Sequence, residues 1–142
     1  VFAMNAYFQK PVCPEQRMAK KHSPRFLAAV EQSRALIQEC DIDQFSSMLN
    51  DGEEIVVIDV REQHEYDAGS FEGALHLSKG VIERDIEKHP VSPGTRIVLY
   101  CGGGYRSAIA AESLTRMGYA NVYSLWGGWR SLVAKGLASS NQ

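Results

Sequence analysis

The sequence predicts an α/β domain built on a mostly parallel sheet flanked by helices, and three observations carry that reading. Two continuous apolar runs, Ile55-Val56-Val57-Ile58 and Ile97-Val98-Leu99-Tyr100, have the composition of strands buried on both faces. Segments of helical spacing alternate with such runs, as they do in βαβ units. A length of 142 residues, 44% hydrophobic and 23% charged, suits one domain with an ordinary core.

The chain opens without a period. Residues 1–22 read as a basic, poorly ordered tail, and Met18-Ala-Lys-Lys reads as a natural start that makes residues 1–17 an added or processed piece. Ser23-Pro24 is a cap and first-turn pair. It opens a lead-in helix over 23–41, in which Phe26, Leu27, Val30, Leu36, Ile37 and Cys40 recur at helical spacing.

The main domain follows over 42–138. Asp43 begins a short helix with Phe45, Met48 and Leu49 inward, ended by Asn50-Asp51-Gly52. After the strand at 55–58, Glu62–Ala68 reads as a helix stopped by Gly69, and Ala74–Leu77 as a short strand. Val81–His89 is helical, Arg96–Tyr100 is the second strong strand, and Ser107–Met117 is a helix ended by Gly118. Asn121–Leu125 forms another strand, and Trp129–Lys135 a last helix closed by Gly136.

Charge and composition exclude several classes. Residues 1–25 carry a net +4 and residues 26–142 a net −6, so the body lacks the basic stripe of a nucleic-acid binder. No apolar run approaches the ~20 residues of a membrane span. Cysteines at 13, 40 and 101 make no paired framework, which favours a reducing, cytoplasmic setting. His22, His64, His76 and His89 show no ligand spacing with them, so neither metal nor cofactor is expected. The glycine run 102–104 fits neither a P-loop nor a dinucleotide fingerprint, and Gly-x-Ser-x-Gly is missing.

Chemistry is expected at the carboxyl ends of the strands. Cys101-Gly102-Gly103-Gly104-Tyr105-Arg106-Ser107 lies at one such end. A cysteine there, followed by glycines and a helix start, sits at the focus of unpaired N–H groups, with Arg106 adding charge. The arrangement favours a thiolate nucleophile over an inert buried cysteine. Asp59-Val60-Arg61-Glu62 lies at the other strand end. Asp59 and Arg61 read as an ion pair locking the strand-end loops, the alternative being that Asp59 orients a catalytic group.

The Cys101–Ser107 run resembles the active-site loop of rhodanese (thiosulfate sulfurtransferase) domains. Asp59-Val60-Arg61-Glu62 with Glu65-Tyr66, Gly69 and Gly73-Ala74 is similar to that family's first signature, and Leu125-Trp126-Gly127-Gly128-Trp129 to its closing one. The resemblance runs from about Ile42 to Gly136 and departs at Gly69-Ser70-Phe71, where the family usually has Gly-His-Ile. It implies a rhodanese-like fold, a five-stranded parallel sheet flanked by helices. It also implies a sulfurtransferase that moves sulfane sulfur from thiosulfate or a persulfide donor to a thiol, a sulfur-accepting protein or cyanide. In that scheme Cys101 carries a persulfide, the amides of Gly102, Gly103, Gly104, Tyr105, Arg106 and Ser107 cradle it, and Arg106 orders the loop. Cys-x4-Arg is one residue shorter than the Cys-x5-Arg ring of related phosphatases, which by family analogy suits sulfur rather than phosphate. The competing reading is a non-enzymatic persulfide carrier or regulatory binding module.

Overall fold

Aliphatic residues pointing alternately to two faces build the centre of the sheet. On β4 (Arg96–Tyr100), Ile97 and Leu99 enter one core and Val98 and Tyr100 the other, all four fully buried. Its neighbour β2 (Ile55–Asp59) does the same, with Ile58 on the first face and Val57 on the second. Burial on both faces explains why these two strands read as continuous apolar runs. Truncating Ile97 or Leu99 to alanine is expected to cost about 2–5 kcal/mol.

A computed structural model describes residues 22–140. Its elements are α1 (Pro24–Arg34), β1 (Gln38–Cys40), α2 (Ile42–Asn50), β2, α3 (Gln63–Ala68), β3 (Leu75–His76) and α4 (Ile82–Asp85) with a 3₁₀ turn at Ile86–Lys88. There follow β4, α5 (Tyr105–Arg116), β5 (Val122–Leu125) and α6 (Gly128–Ala134). The five strands form one parallel sheet in the order β1-β5-β4-β2-β3. Residues of α4 and α5 cover one face through Ile82, Ala110, Ala111 and Leu114, while Phe45 of α2 and Leu132 of α6 cover the other. Among the described residues no helix is long and apolar enough to cross a membrane.

The lead-in helix expected over 23–41 needs correction. The helix ends at Arg34, and Gln38–Cys40 is a strand that pairs with Tyr123–Leu125 of β5. Leu36, expected inward, is 56% exposed, because it falls in the turn between the two elements. The reason is tertiary. Cys40 fills the core beside Phe45 and Leu125, and the capping box between Asp41 and Gln44 starts α2 immediately afterwards. The expected tail over 1–22 lies outside the described residues except for His22, whose ring packs edge-on to Tyr105 at 4.7 Å.

Helix α1 lies against α5, with Val30 buried against Tyr105 and Ala108. Arg34 fastens its end. The buried guanidinium pairs with Glu31 and Glu39 at 3.0 Å each and lies 3.6 Å over the Trp126 ring.

Candidate active site

Cys101 follows β4 directly, in the middle of the sheet. From the adjacent β2 the chain runs outward to β3, and from β4 it runs the opposite way to β5. Divergent connections of this kind open the crevice at the strand ends of a parallel sheet. The cavity there has a volume of about 580 Å³, and Cys101, Phe26, Glu65, Tyr105, Arg106 and Arg130 line it.

The loop curls around the sulfur. Gly104 takes φ 108°, a left-handed conformation that glycine adopts without strain. The turn brings the Gly104 N–H to donate to Cys101 Sγ at 3.2 Å, and the Ser107 N–H at 3.4 Å. Both donors favour electron density on sulfur. The Ser107 hydroxyl stands 3.5 Å from Sγ and 2.8 Å from the hydroxyl of Ser124 on β5.

Helix α6 holds the other side of the loop. The N–H groups of Trp129, Arg130 and Gly127 donate to the carbonyls of Cys101 (2.7 Å), Gly102 (3.3 Å) and Gly103 (3.0 Å). With its first three carbonyls held toward α6, the loop turns its later amides to the sulfur. Gly128 makes the approach feasible. At φ 51° a Cβ there would collide with the Cys101 carbonyl and lie 2.9 Å from Gly102 backbone atoms.

The charged side chains divide sharply by partner. Arg106 forks onto Glu65, with Nη1 to Oε1 at 2.7 Å and Nη2 to Oε2 at 3.1 Å. Those bonds hold the Glu65 carboxyl down at about 2, against the opposing pull of partial burial. Much of the positive potential expected from Arg106 is therefore neutralised by Glu65. The guanidinium still lies over the loop, since a Cβ on Gly102 would come within 3.3 Å of Nη2.

Asp59 and Arg61 are buried beside this site rather than in the cavity. The Arg61 guanidinium donates to both Asp59 oxygens (3.0 Å and 2.7 Å) and to the Gly69 carbonyl (2.7 Å). The Tyr100 hydroxyl donates to Asp59 Oδ2 at 2.6 Å and accepts from the Phe71 N–H at 3.0 Å. Burial, with that bond to a carboxylate, raises the Tyr100 phenol well above its usual range. This network ties β2, β4 and the 69–71 turn together.

Cys40 is buried in the core and does not line the cavity. Burial first, then Asp41 and Glu39, push its thiol up to about 12, so it stays protonated at neutral pH. Glu65 and Arg130 on the cavity wall, Ser124 behind Ser107 and Tyr100 in the adjoining Asp59 network are residues that pattern reading missed. Glu65 alone had a signal, because it stands within the first signature.

Comparison with known proteins bears on this geometry. The rhodanese-like domain family model matches residues 41–135. The thiosulfate sulfurtransferase GlpE of Coxiella burnetii is 35% identical over 81 residues, 57% of this chain and 74% of that protein. The tRNA uridine(34) hydroxylase of Buchnera aphidicola is 33% identical over 90 residues, 61% of this chain but 28% of the hydroxylase. This chain thus spans only about a quarter to a half of the length of several curated relatives that it matches. The solution structure of the polysulfide-sulfur transferase homodimer from Wolinella succinogenes matches with a TM-score of 0.69 and 27% identity, covering 82% of this chain and 87% of that one. A five-stranded parallel sheet with a cysteine-headed loop at its switch point, together with these matches, leads to one assignment: the chain belongs to the rhodanese-like domain family.

Proposed function

We propose that this protein is a sulfurtransferase that carries sulfane sulfur on Cys101. The carrying observation is the sulfur's setting, where two backbone N–H groups converge on Sγ at the base of an open cavity. Such donors stabilise negative charge on whichever sulfur occupies the ring, in the manner of an oxyanion hole.

The reaction balances without an external oxidant. The Cys101 thiolate attacks the outer sulfur of thiosulfate, a new S–S bond forms, and sulfite leaves with the electron pair of the old one. An acceptor thiolate then attacks the outer sulfur of the Cys101 persulfide. That S–S bond breaks, its electron pair returns to Cys101, and the acceptor departs as the persulfide. A persulfide on another protein serves as donor by the same steps, its thiolate leaving instead of sulfite. The 35% identity to a thiosulfate sulfurtransferase supports thiosulfate as the first donor to try.

Mass spectrometry after thiosulfate treatment is the test. The expected result is a gain of about 32 Da on the Cys101 peptide, removed by cyanide or a thiol, with the Cys40 peptide unchanged. A Cys101→Ser protein that still transfers sulfur would overturn the mechanism, and an unmodified Cys101 would favour a binding module.

A further inference from the structure

We propose that Arg130 binds the charged end of an anionic sulfur donor at the mouth of the Cys101 cavity. The inference rests on the sulfur-transfer reading for its choice of ligand.

The cations around the loop differ in what they hold. Arg61 is bound to Asp59, Arg106 to Glu65, and Arg34 to Glu31 and Glu39. Arg130 lines the same cavity as Cys101, yet among the described residues its side chain makes no ion pair or hydrogen bond. Glu65, the one carboxylate on the cavity wall among the described residues, has both oxygens engaged by Arg106. Among the described residues, Arg130 is thus a positive charge on the Cys101 cavity wall that no carboxylate neutralises.

Its placement is fixed at two points. The backbone N–H of Arg130 donates to the Gly102 carbonyl, so its Cα is tied to the loop itself. Its guanidinium lies across Gly103, where an added Cβ would collide with Nη2. Gly103 has no left-handed φ to explain it, so the space it leaves open is what admits the Arg130 fork. A planar fork of donors suits the oxygens of a sulfonate-like group. In thiosulfate those oxygens sit two bonds away from the sulfur that Cys101 attacks.

The test compares wild type with Arg130→Gln and Arg130→Lys in two assays. In the first, thiosulfate turnover by Arg130→Gln is expected to show a KM about tenfold higher, with a smaller change in kcat, and Arg130→Lys recovers part of the loss. In the second, Cys101 is alkylated with iodoacetate and with neutral iodoacetamide. The iodoacetate-to-iodoacetamide rate ratio is expected to fall severalfold in Arg130→Gln, the neutral reagent correcting for any change in the thiol itself. An unchanged ratio overturns the anion site even where thiosulfate turnover is normal. If wild type takes no sulfur from thiosulfate while the ratio still falls, the sulfur-transfer reading fails and the anion site stands.

Discussion

The Ser124 hydroxyl lies 2.8 Å from that of Ser107, and both side chains are fully buried. Ser107 Oγ in turn is 3.5 Å from Cys101 Sγ. When the sulfur is anionic, the Ser107 hydroxyl donates to it and must accept its second bond from Ser124. The strand next to Cys101 thereby sets the direction of a hydroxyl that faces its sulfur.

Ser124→Ala is expected to slow persulfide formation about three- to tenfold, the value of one ordinary hydrogen bond, with Cys101 still modified. Stopped-flow kinetics with thiosulfate measures it. A rate equal to wild type would show that Ser107 orients without help.

Gly128→Ala is expected to abolish transfer and to cost about 1–3 kcal/mol in backbone strain alone. The added methyl meets loop backbone, which cannot swing aside as a side chain can. Urea unfolding with an activity assay checks both parts, and a fully active Gly128→Ala protein contradicts the account of the loop.

Asp59→Ala strips a buried guanidinium of its partner and is expected to lose about 3–5 kcal/mol. Tyr100→Phe, which removes two hydrogen bonds but no charge, is expected to lose about 1–3 kcal/mol. Denaturant midpoints rank the pair. The reverse order would mean that Arg61 finds relief elsewhere.

Glu65 makes a pH-dependent contribution. Its carboxyl is lowered from 4.5 to about 2 when folded, so the ion pair with Arg106 stabilises fully above the unfolded value and fades as pH falls toward 2. Both side chains keep about 30% exposure, which screens the pair to about 1 kcal/mol or less. The stability gap between wild type and Glu65→Gln is expected to be flat from pH 5 to 8 and to close below about pH 4.5. Unfolding midpoints across that range provide the check.

Local chemistry made some elements legible and not others. The runs at 55–58 and 97–100 announce central strands because both faces are buried, and Cys101 with three following glycines announces a curled loop whatever the rest of the fold does. Strand β1 is invisible to the same reasoning. It has three residues at a sheet edge, only Cys40 of them buried, and it follows a helix whose spacing runs on through it. Glu65 and Ser124 stand 41 and 17 residues from their partners Arg106 and Ser107, so their roles arise only when the strands assemble. Arg130 belongs to no motif in the sequence, and its place emerges only when α6 is seen lying against the loop.

The three amides of Gly127, Trp129 and Arg130 on the loop carbonyls carry a consequence for biosynthesis. The chain is made from its amino end, so Cys101 is translated well before the segment that shapes its surroundings. A nascent chain that has not reached residue 130 holds the cysteine without its clamp, and its thiol should behave like any other. On the proposed function, reactivity is acquired late, once α6 has been laid down. Ribosome-stalled chains in which α6 is still inside the exit tunnel, or already clear of it, should therefore differ in how quickly Cys101 is labelled, in step with the loop's assembly rather than with its synthesis.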